Sequence, residues 1–442
     1  MLVFLRVGAF ASVVFDLDPL ISSGARALET KVTPVRKWLL IGLLLACLAA
    51  AARIGISSYE SRKSQTAAAD MAEKTRRLRA AAAAAAAKRF QPSETVRQLL
   101  ERTDATAPRL DGEYPCVFAS LEDSKPRPQL GKCALPADHS SPVDRFEADL
   151  RYGNLVVRQS DLYLSDGFDV PLTRTYNSGD YLHPNPVHAF GKLTNHPFDW
   201  SLAGTRNPYT YMFSVLEDGD FLYFPRVSEG VGYADAIYQH TETSTSFYKA
   251  VIAWNGDGWT LSRTDGSAIL FPDAYNSTNT AQGAPYTMRD AKGNTLKLIR
   301  DAQRNLLEIR TQRNQSIKFK YDDQSRIVHA EDDQGHSAEY RYDANGMLMD
   351  TTFSSGHARH YSYDGDLMTA IADENQNVLV HNSYDHRWLV RQDFGNRIIY
   401  SYSYTNSDGP YAASATVTLA DGTRTTVDVA SSVPEARKHP PR

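Results

Sequence analysis

Hydrophobic and polar positions change their period along the chain, and each change marks a part of it. From Trp38 to Ala52 runs an uncharged stretch of 15 residues that reaches Ile56 once Arg53 is included. A bilayer span takes about 20 apolar residues, and an arginine near one end can snorkel to the headgroups, so residues 38–56 are read as one short transmembrane helix in a lipid bilayer. From Ser64 to Phe90 alanine dominates, interrupted by charges such as Glu73, Lys74, Arg76 and Arg77, with neither Gly nor Pro. These residues have the best intrinsic helix propensities and predict a helical stalk; no heptad is sustained, so a coiled coil stays open without support from the pattern. Pro92 ends that helix and Ser93 caps a second, short one through Leu100, which closes the helical part at about residue 103.

Beyond Asp149 the period falls to two. The segment to Tyr176 reads as three strands: Leu150 to Gln159 around Gly153-Asn154, Asp161 to Leu164, and Val170 to Tyr176 after a break at Ser165 to Gly167. Tyr209 to Leu216 and Phe221 to Phe224 flank Asp218-Gly219 as a second hairpin. Phe247 to Trp254 meets Trp259 to Arg263 across Asn255 to Gly258, and Asp265-Gly266 turns the chain into Ala268 to Phe271. Consecutive hairpins of this kind make an antiparallel meander.

A stricter period follows. Tyr321-Asp322, Tyr342-Asp343, Tyr363-Asp364 and Tyr384-Asp385 each start 21 residues after the last, and they are the only Tyr-Asp pairs in the sequence. One copy holds a turn at Asp343 to Gly346, a strand at Met347 to Met349, a turn at Ser355-Gly356 and a return strand from Arg359 to Tyr363, so one unit is a hairpin. Degenerate copies begin at Asp290 and at Asp301, and the last one ends near Thr405. A fixed period in this range means one supersecondary unit stacked on its neighbours. The Tyr is expected to lay its ring on the next hairpin with its hydroxyl towards water or a partner, and the Asp to cap the following turn.

Tyr152 to Phe168, Pro171 to Ser178, Gly256 to Trp259 and Thr264 to Phe271, joined in this order to the Tyr-Asp ladder, resemble the N-terminal core motif and repeats of bacterial Rhs/YD-repeat proteins. The resemblance covers about residues 147–405. It implies a mainly β fold: a β domain over 146–285 continuing into a hairpin array over 286–405, an open partial shell. Long members of the family enclose a C-terminal toxin and release it through an Asp-Pro-x-Gly-type segment. That motif is absent here; Thr416 to Val429 forms one more hairpin and Ser431 to Arg442 a polar tail, so 406–442 is read as a terminal hairpin and tail.

Composition narrows the function more than it defines it. Lys and Arg number 48 against 52 Asp and Glu, which gives no polyanion signature and argues against nucleic acid as a partner. Arg26, Lys31, Arg36 and Lys37 precede the apolar run and Arg53, Arg62 and Lys63 follow it, which leans weakly towards an N-terminus inside and a β region on the extracytoplasmic side. Rival readings of the same run are a signal peptide starting downstream of Met1, or a lipoprotein processing box at Leu44 to Cys47, with Cys47 otherwise a small membrane-buried residue. Residues 1–37 carry no firm element. Residues 104–145 hold six prolines and read as a linker; within it Cys116 and Cys133 either close a loop on an oxidising side or stay as two thiols.

Catalytic signatures are missing: there is no His-Glu-x-x-His, no Gly-x-Ser-x-Gly and no phosphate loop. Glu331 to Asp333 with His336 read as a solvated turn before a metal site. His357 and His360 stand three apart on a strand and so face opposite ways. Asp218-Gly-Asp220 and Asp364-Gly-Asp366 read as tight turns, and the Asp row lacks a calcium-repeat pattern. No catalytic, cofactor-binding or metal residue is therefore singled out. The expectation is a membrane-anchored, non-enzymatic protein of the bacterial inner membrane that presents a β surface to a protein or glycan ligand. The alternative is a shortened component or remnant of a toxin-delivery system, with a toxin or immunity protein as partner.

Overall fold

The computed structural model describes residue 46 and residues 63–433, apart from 79, 83, 86, 103–111, 123–124, 135–141, 181–186, 275–279, 396–397 and 408. The chain divides into two compact units, residues 1–85 and 86–442. In the first, every described residue from 63 to 85 is helical, as its alanine content dictates, and Glu73 forms ion pairs with Arg76 and Arg77 one turn on. Apart from Ala46, the expected transmembrane segment 38–56 lies outside the described residues, as do residues 1–37. Among the described residues no helix is long and apolar enough to cross a membrane.

The second unit opens with the last turn of that helical stretch and a short helix, Glu94–Glu101, whose N-cap Ser93 accepts a hydrogen bond from the Val96 N–H at 3.3 Å. Everything described beyond it is β-rich and antiparallel. The first sheet runs β2 (Gln129–Ala134), β1 (Glu113–Ser120), β3 (Asp144–Asp149), β4 (Asn154–Ser165), β5 (Asp169–Asn177) and β8 (Thr194–Asn195), with β6 (Val187–His188) and β7 (Gly191–Lys192) as a small ladder of their own. This corrects two expectations. Residues 104–145 are not simply a linker, because β1, β2 and the start of β3 come from them. Asn154 to Ser165 is one strand, in which a register shift at Ser160 and Leu162 replaces the expected break before Asp161. Cys116 and Cys133 form a disulfide between β1 and β2, so the pairing alternative holds.

A three-stranded sheet of β9 (Ser201–Gly204), β10 (Tyr211–Val215) and β11 (Phe221–Pro225) comes next, with the Asp218-Gly219 turn where the sequence places it. From β12 (Ile237–Gln239) to β29 (Arg424–Asp428) the chain is a single meander of 18 strands, each paired with the next in sequence. Residue 286, the expected division between β domain and array, falls inside this sheet: β15 (Ala268–Pro272) pairs directly with β16 (Thr287–Arg289). The terminal hairpin is present as β28 (Ala412–Leu419) and β29, turned at Gly422 with φ +86°.

The inner face of the meander lies on the first sheet. One apolar core joins Phe146, Leu155, Val157, Leu172 and Tyr176 of the sheet to Ile317, Tyr340, Tyr361, Ile371, Leu389 and Phe394 of the array. Phe146 stacks on Phe394 at 5.3 Å, and Phe190 meets Tyr340 at 4.9 Å. That face of the array is therefore covered by the chain's own N-terminal sheet.

Candidate functional site

The Tyr-Asp joints share one construction. At β19 (Ser316–Tyr321) with β20 (Ile327–Asp332), β21 (Ser337–Tyr342) with β22 (Leu348–Phe353), β23 (Ala358–Asp364) with β24 (Leu367–Asp373), and β25 (Val378–Asp385) with β26 (Trp388–Phe394), the register shifts at the Tyr. Such a bulge frees backbone groups of the outgoing strand, which must find other partners. The carbonyl is taken by the Tyr of the next joint: Tyr342 to Ile327, Tyr363 to Leu348 at 2.9 Å and Tyr384 to Met368 at 2.9 Å, with Tyr321 to Leu306 at 2.9 Å before them. The freed N–H is taken by the first sheet and its loops: Ile327 donates to the Ala189 carbonyl at 2.7 Å, Met368 to the Tyr176 hydroxyl at 3.0 Å and Leu389 to the Gly153 carbonyl at 2.8 Å.

The Tyr hydroxyls thus do not reach for water or a partner, as the sequence suggested; they close the backbone of the preceding repeat. Burial pushes Tyr321, Tyr363 and Tyr384 well above the ordinary phenol range. Tyr404 does the same with the Leu389 carbonyl at 2.8 Å, a fifth rung hidden because Thr405 stands where Asp would complete the pair. Its position 20 residues after Tyr384 was the available signal. The Asp expectation holds at the first two pairs. Asp322 Oδ1 accepts from the Gln324 and Arg326 N–H groups at 2.9 Å each, and Asp343 Oδ1 from Asn345 and Met347 at 2.9 and 2.8 Å. At the third and fourth pairs the turn is shorter, with Asp364 opposite Leu367 and Asp385 opposite Trp388. The turns at the far end of the hairpins are capped by Asp332, which accepts from Gln334 and His336 at 2.8 and 2.9 Å, and by Asp373, which accepts from Asn375 and Asn377 at 2.9 Å each.

The charged groups singled out in the sequence are distributed, not gathered. His336 Nδ1 lies 2.8 Å from Asp332, whose other oxygen caps the turn, while Asp333 bonds Ser316. His360 faces Asp350 at 2.6 Å and His357 lies 3.7 Å from Glu374. Among the described residues no three His, Cys, Asp or Glu side chains converge as a metal site. The Asp218-Gly-Asp220 turn does more than turn. Asp218 pairs with buried Arg158 at 2.6 Å and Asp220 with buried Arg151 at 3.4 Å, so two guanidiniums clamp the three-stranded sheet onto the first one. Arg158 also pairs with Glu147 at 2.8 Å and Arg151 with Asp149 at 2.7 Å. Burial would raise the Glu147 carboxyl, but Arg158 and Arg145 more than offset it and hold it low.

A second buried network crosses from sheet to array. Arg174 donates to Asp161 at 3.0 Å, to Gln159 at 2.7 Å and to the Tyr361 hydroxyl at 3.1 Å, and Tyr340 donates to Asp161 at 2.8 Å. Beside it opens a cleft of about 370 Å³ at the seam of the first sheet and β22 to β25, lined by Asp144, Gln159, Asp161, His357, Arg359 and Glu374 among others. Arg359 spans it, 3.8 Å from Asp144 and 3.7 Å from Glu374. Burial lifts the Asp144 carboxyl to about 6, with Arg359 and Arg174 pulling against it, and its Oδ1 is buried without a hydrogen bond. The cleft can hold polar groups of a ligand between two carboxylates and a guanidinium.

The outer face of the array is a ranked polar surface. In register across the strands lie Lys320, His329 and Glu339, then Arg341, Asp350 and His360. His329 Nδ1 is 2.6 Å from Glu339 and Arg341 is 3.4 Å from Asp350. Opposed charges at neighbouring positions stabilise a sheet by tenths of a kcal/mol each, up to about 1 kcal/mol, and fix where each group points.

No family model matches the chain, and no curated protein matches it. Among solved structures, the crystal structure of TcdB2-TccC3 has a TM-score of 0.26 and 12% identity over 71% of this chain and 19% of that one. A structure of the Photorhabdus luminescens Tc holotoxin pore has a TM-score of 0.27 and 13% identity over 70% of this chain and 19% of that chain. Scores this low carry no argument for a shared fold or role, and the chain spans about a fifth of the length of those proteins.

Proposed function

We propose that the chain is a non-enzymatic Rhs/YD-repeat-like protein, anchored by residues 38–56 in the bacterial inner membrane, whose β unit presents its surface to a protein or glycan at the cell envelope. The observation that carries this reading is the division of the ionisable groups. Those in the interior are bonded to one another, as in the Arg174, Asp161, Tyr340 and Tyr361 network, while the outer face bears ordered, opposed charges and the seam cleft opens beside it. A fold whose inner groups serve packing leaves its surface for recognition. The Cys116–Cys133 disulfide supports an oxidising side of the membrane. The interior filled by the N-terminal sheet favours a surface over a container for a separate toxin.

The test combines location and binding on the full chain. Protease added to intact spheroplasts is expected to remove the β unit; its protection there, with digestion only after lysis, overturns the orientation. The detergent-solubilised full chain is then expected to retain a ligand from an envelope glycan array or from envelope extracts. Retention of neither sinks the binding reading.

A further inference from the structure

The last strand, β29, stands at the end of the strand order of the 18-stranded sheet, so one of its edges faces β28 and the other faces out. Hydrogen bonds fix which residues serve which edge. The Leu419 N–H donates to the Thr423 carbonyl at 2.9 Å and the Val429 N–H to the Ala413 carbonyl at 3.3 Å, one beyond each end of the strand, in the register that sets Ser414 opposite Asp428. Backbone groups alternate along a strand, so Thr425 and Val427 spend theirs on β28, and Arg424, Thr426 and Asp428 direct theirs outward. Among the described residues nothing bonds those outward N–H and C=O groups. Beyond Asp428 the chain leaves the strand inward: Val429 and Val433 are buried, and Ala430–Ser432 lies against β28 and β1.

Side chains divide with the same period. Val427 packs on the core, while the Thr426 and Thr416 hydroxyls meet at 2.7 Å on the exposed face. Arg424 and Asp428 stand two residues to either side of Thr426 and share that face. Both are exposed and form no ion pair among the described residues; Asp428 Oδ1 accepts from the Ala430 N–H at 3.1 Å.

Arg424-Thr-Thr-Val-Asp428 is therefore complementary to its own reverse. Laid antiparallel about Thr426, two copies set Arg424 of each opposite Asp428 of the other, at both ends at once. Every outward N–H then meets an outward C=O, about six backbone bonds in all. A slip of one residue opposes groups already spent on β28. A slip of two, in either direction, sets each charge against a neutral residue, Gly422, Thr426 or Ala430. Charges on an edge strand commonly keep copies apart, but opposite charges at the two ends of one strand attract an antiparallel copy.

We infer that β29 is a self-pairing edge, where two copies of this chain join antiparallel about a two-fold axis at Thr426 and continue one sheet into the other. A five-residue strand buries less than the roughly 1,200 Å² of a stable specific interface, so the pairing is weak and reversible.

Cysteine cross-linking of the full chain in detergent reads the register. In a Cys47→Ser background, with Cys116 and Cys133 bonded to each other, Thr426→Cys or Thr425→Cys supplies the sole free thiol, at a position exposed in either case. Across the axis the two Cα atoms at 426 stand about 5.5 Å apart, within disulfide range, and those at 425 more than about 7 Å apart, outside it. Thr426→Cys is expected to form covalent dimers about tenfold faster than Thr425→Cys. Adding Arg424→Glu, which opposes two acids at each end, is expected to slow this about tenfold, and Arg424→Glu with Asp428→Lys to restore it within about threefold. A thermal melt accompanies that double variant, because Asp428 also bonds Ala430. Equal rates at 425 and 426, or a rate at 426 untouched by Arg424→Glu, overturn the inference. So does a double variant that melts as native without restoring the rate. Absence of cross-linking at both positions, the result if residues 434–442 or a strand of another protein cover this edge, overturns it as well. None of these results bears on the envelope-binding reading, which is tested by ligand retention.

Discussion

Removing one hydroxyl tests the account of the joints. In Tyr363→Phe the ring stays where it packs and only the bond to the Leu348 carbonyl, 2.9 Å in the native joint, disappears. The carbonyl cannot return to the strand ladder, because the register shift at Arg341 and Tyr342, in the joint where Leu348 stands, has already taken it out. An intramolecular hydrogen bond contributes about 1 kcal/mol net, and a buried acceptor left without a partner costs about 1–3 kcal/mol. The bond is only partly buried, so the lower end, about 1 kcal/mol, is expected. Tyr321→Phe and Tyr404→Phe break the same bond two joints away on either side, to Leu306 and Leu389. Sites that share no partner add, so the triple variant is expected to lose about 3 kcal/mol. Urea unfolding followed by circular dichroism reads this as a lowered midpoint with an unchanged slope. If Tyr363→Phe moves the midpoint no more than an exposed substitution such as Leu307→Ala does, the hydroxyl is meeting water and the joint chemistry is wrong. The same bonds set an alkaline limit. The folded-state pKa of these phenols lies above the ordinary value, so their contribution is complete below about pH 10 and is lost as the pH rises further. Their absorbance at 295 nm should appear only together with unfolding.

Three further outcomes follow from single features. Asp144 has a folded pKa of about 6 against an ordinary 3.8, so its contribution is complete below about pH 4 and is lost as pH rises through 6. Asp144→Asn should raise the urea midpoint at pH 7.5 and flatten its change between pH 4 and 7; a lower midpoint at pH 7.5 would count against the raised carboxyl. Reducing the buried Cys116–Cys133 bond, which spans 17 residues, should cost about 3 kcal/mol on a loop-entropy basis, and an unchanged midpoint in reductant would refute it. Gly153 has φ +63° and a Cβ there would lie 2.5 Å from Trp388 Cε3, so Gly153→Ala should cost about 2 kcal/mol or more and shift tryptophan emission; native-like emission and midpoint would contradict the packing.

Local chemistry was well marked in the sequence. The Tyr-Asp period, the Asp-Gly turns and the Ser93 cap rest on groups a few residues apart, and the structure places hairpins and a helix start where they indicate. What stayed hidden depends on partners far along the chain. Pro115 and Pro128 made 104–145 look like a linker, yet Pro115 stands just beyond the ladder of β1 with β3, which begins at Cys116 and Asp149. Its missing N–H therefore interrupts nothing there. Arg151 and Arg158 find Asp220 and Asp218 across 69 and 60 residues, a pairing no motif announces. The role of the ladder hydroxyls depends on a bulge, and a bulge is a property of two strands at once.

The stitches between array and N-terminal sheet also govern how the chain can fold. Tyr400 bonds the Pro128 carbonyl across 272 residues, and the Ala412 N–H bonds the Arg151 carbonyl at 2.7 Å. Contacts this distant in sequence form slowly, because loop-closure entropy is lost before they stabilise anything. During synthesis the first sheet is complete long before its last cladding strands emerge, and its apolar face waits uncovered in the meantime. An ordinary solenoid tolerates gain or loss of one repeat at its end. Here the joints at Ile327, Met368 and Leu389 are bonded to fixed points on the sheet and its loops, so deleting one 21-residue unit misaligns the later stitches.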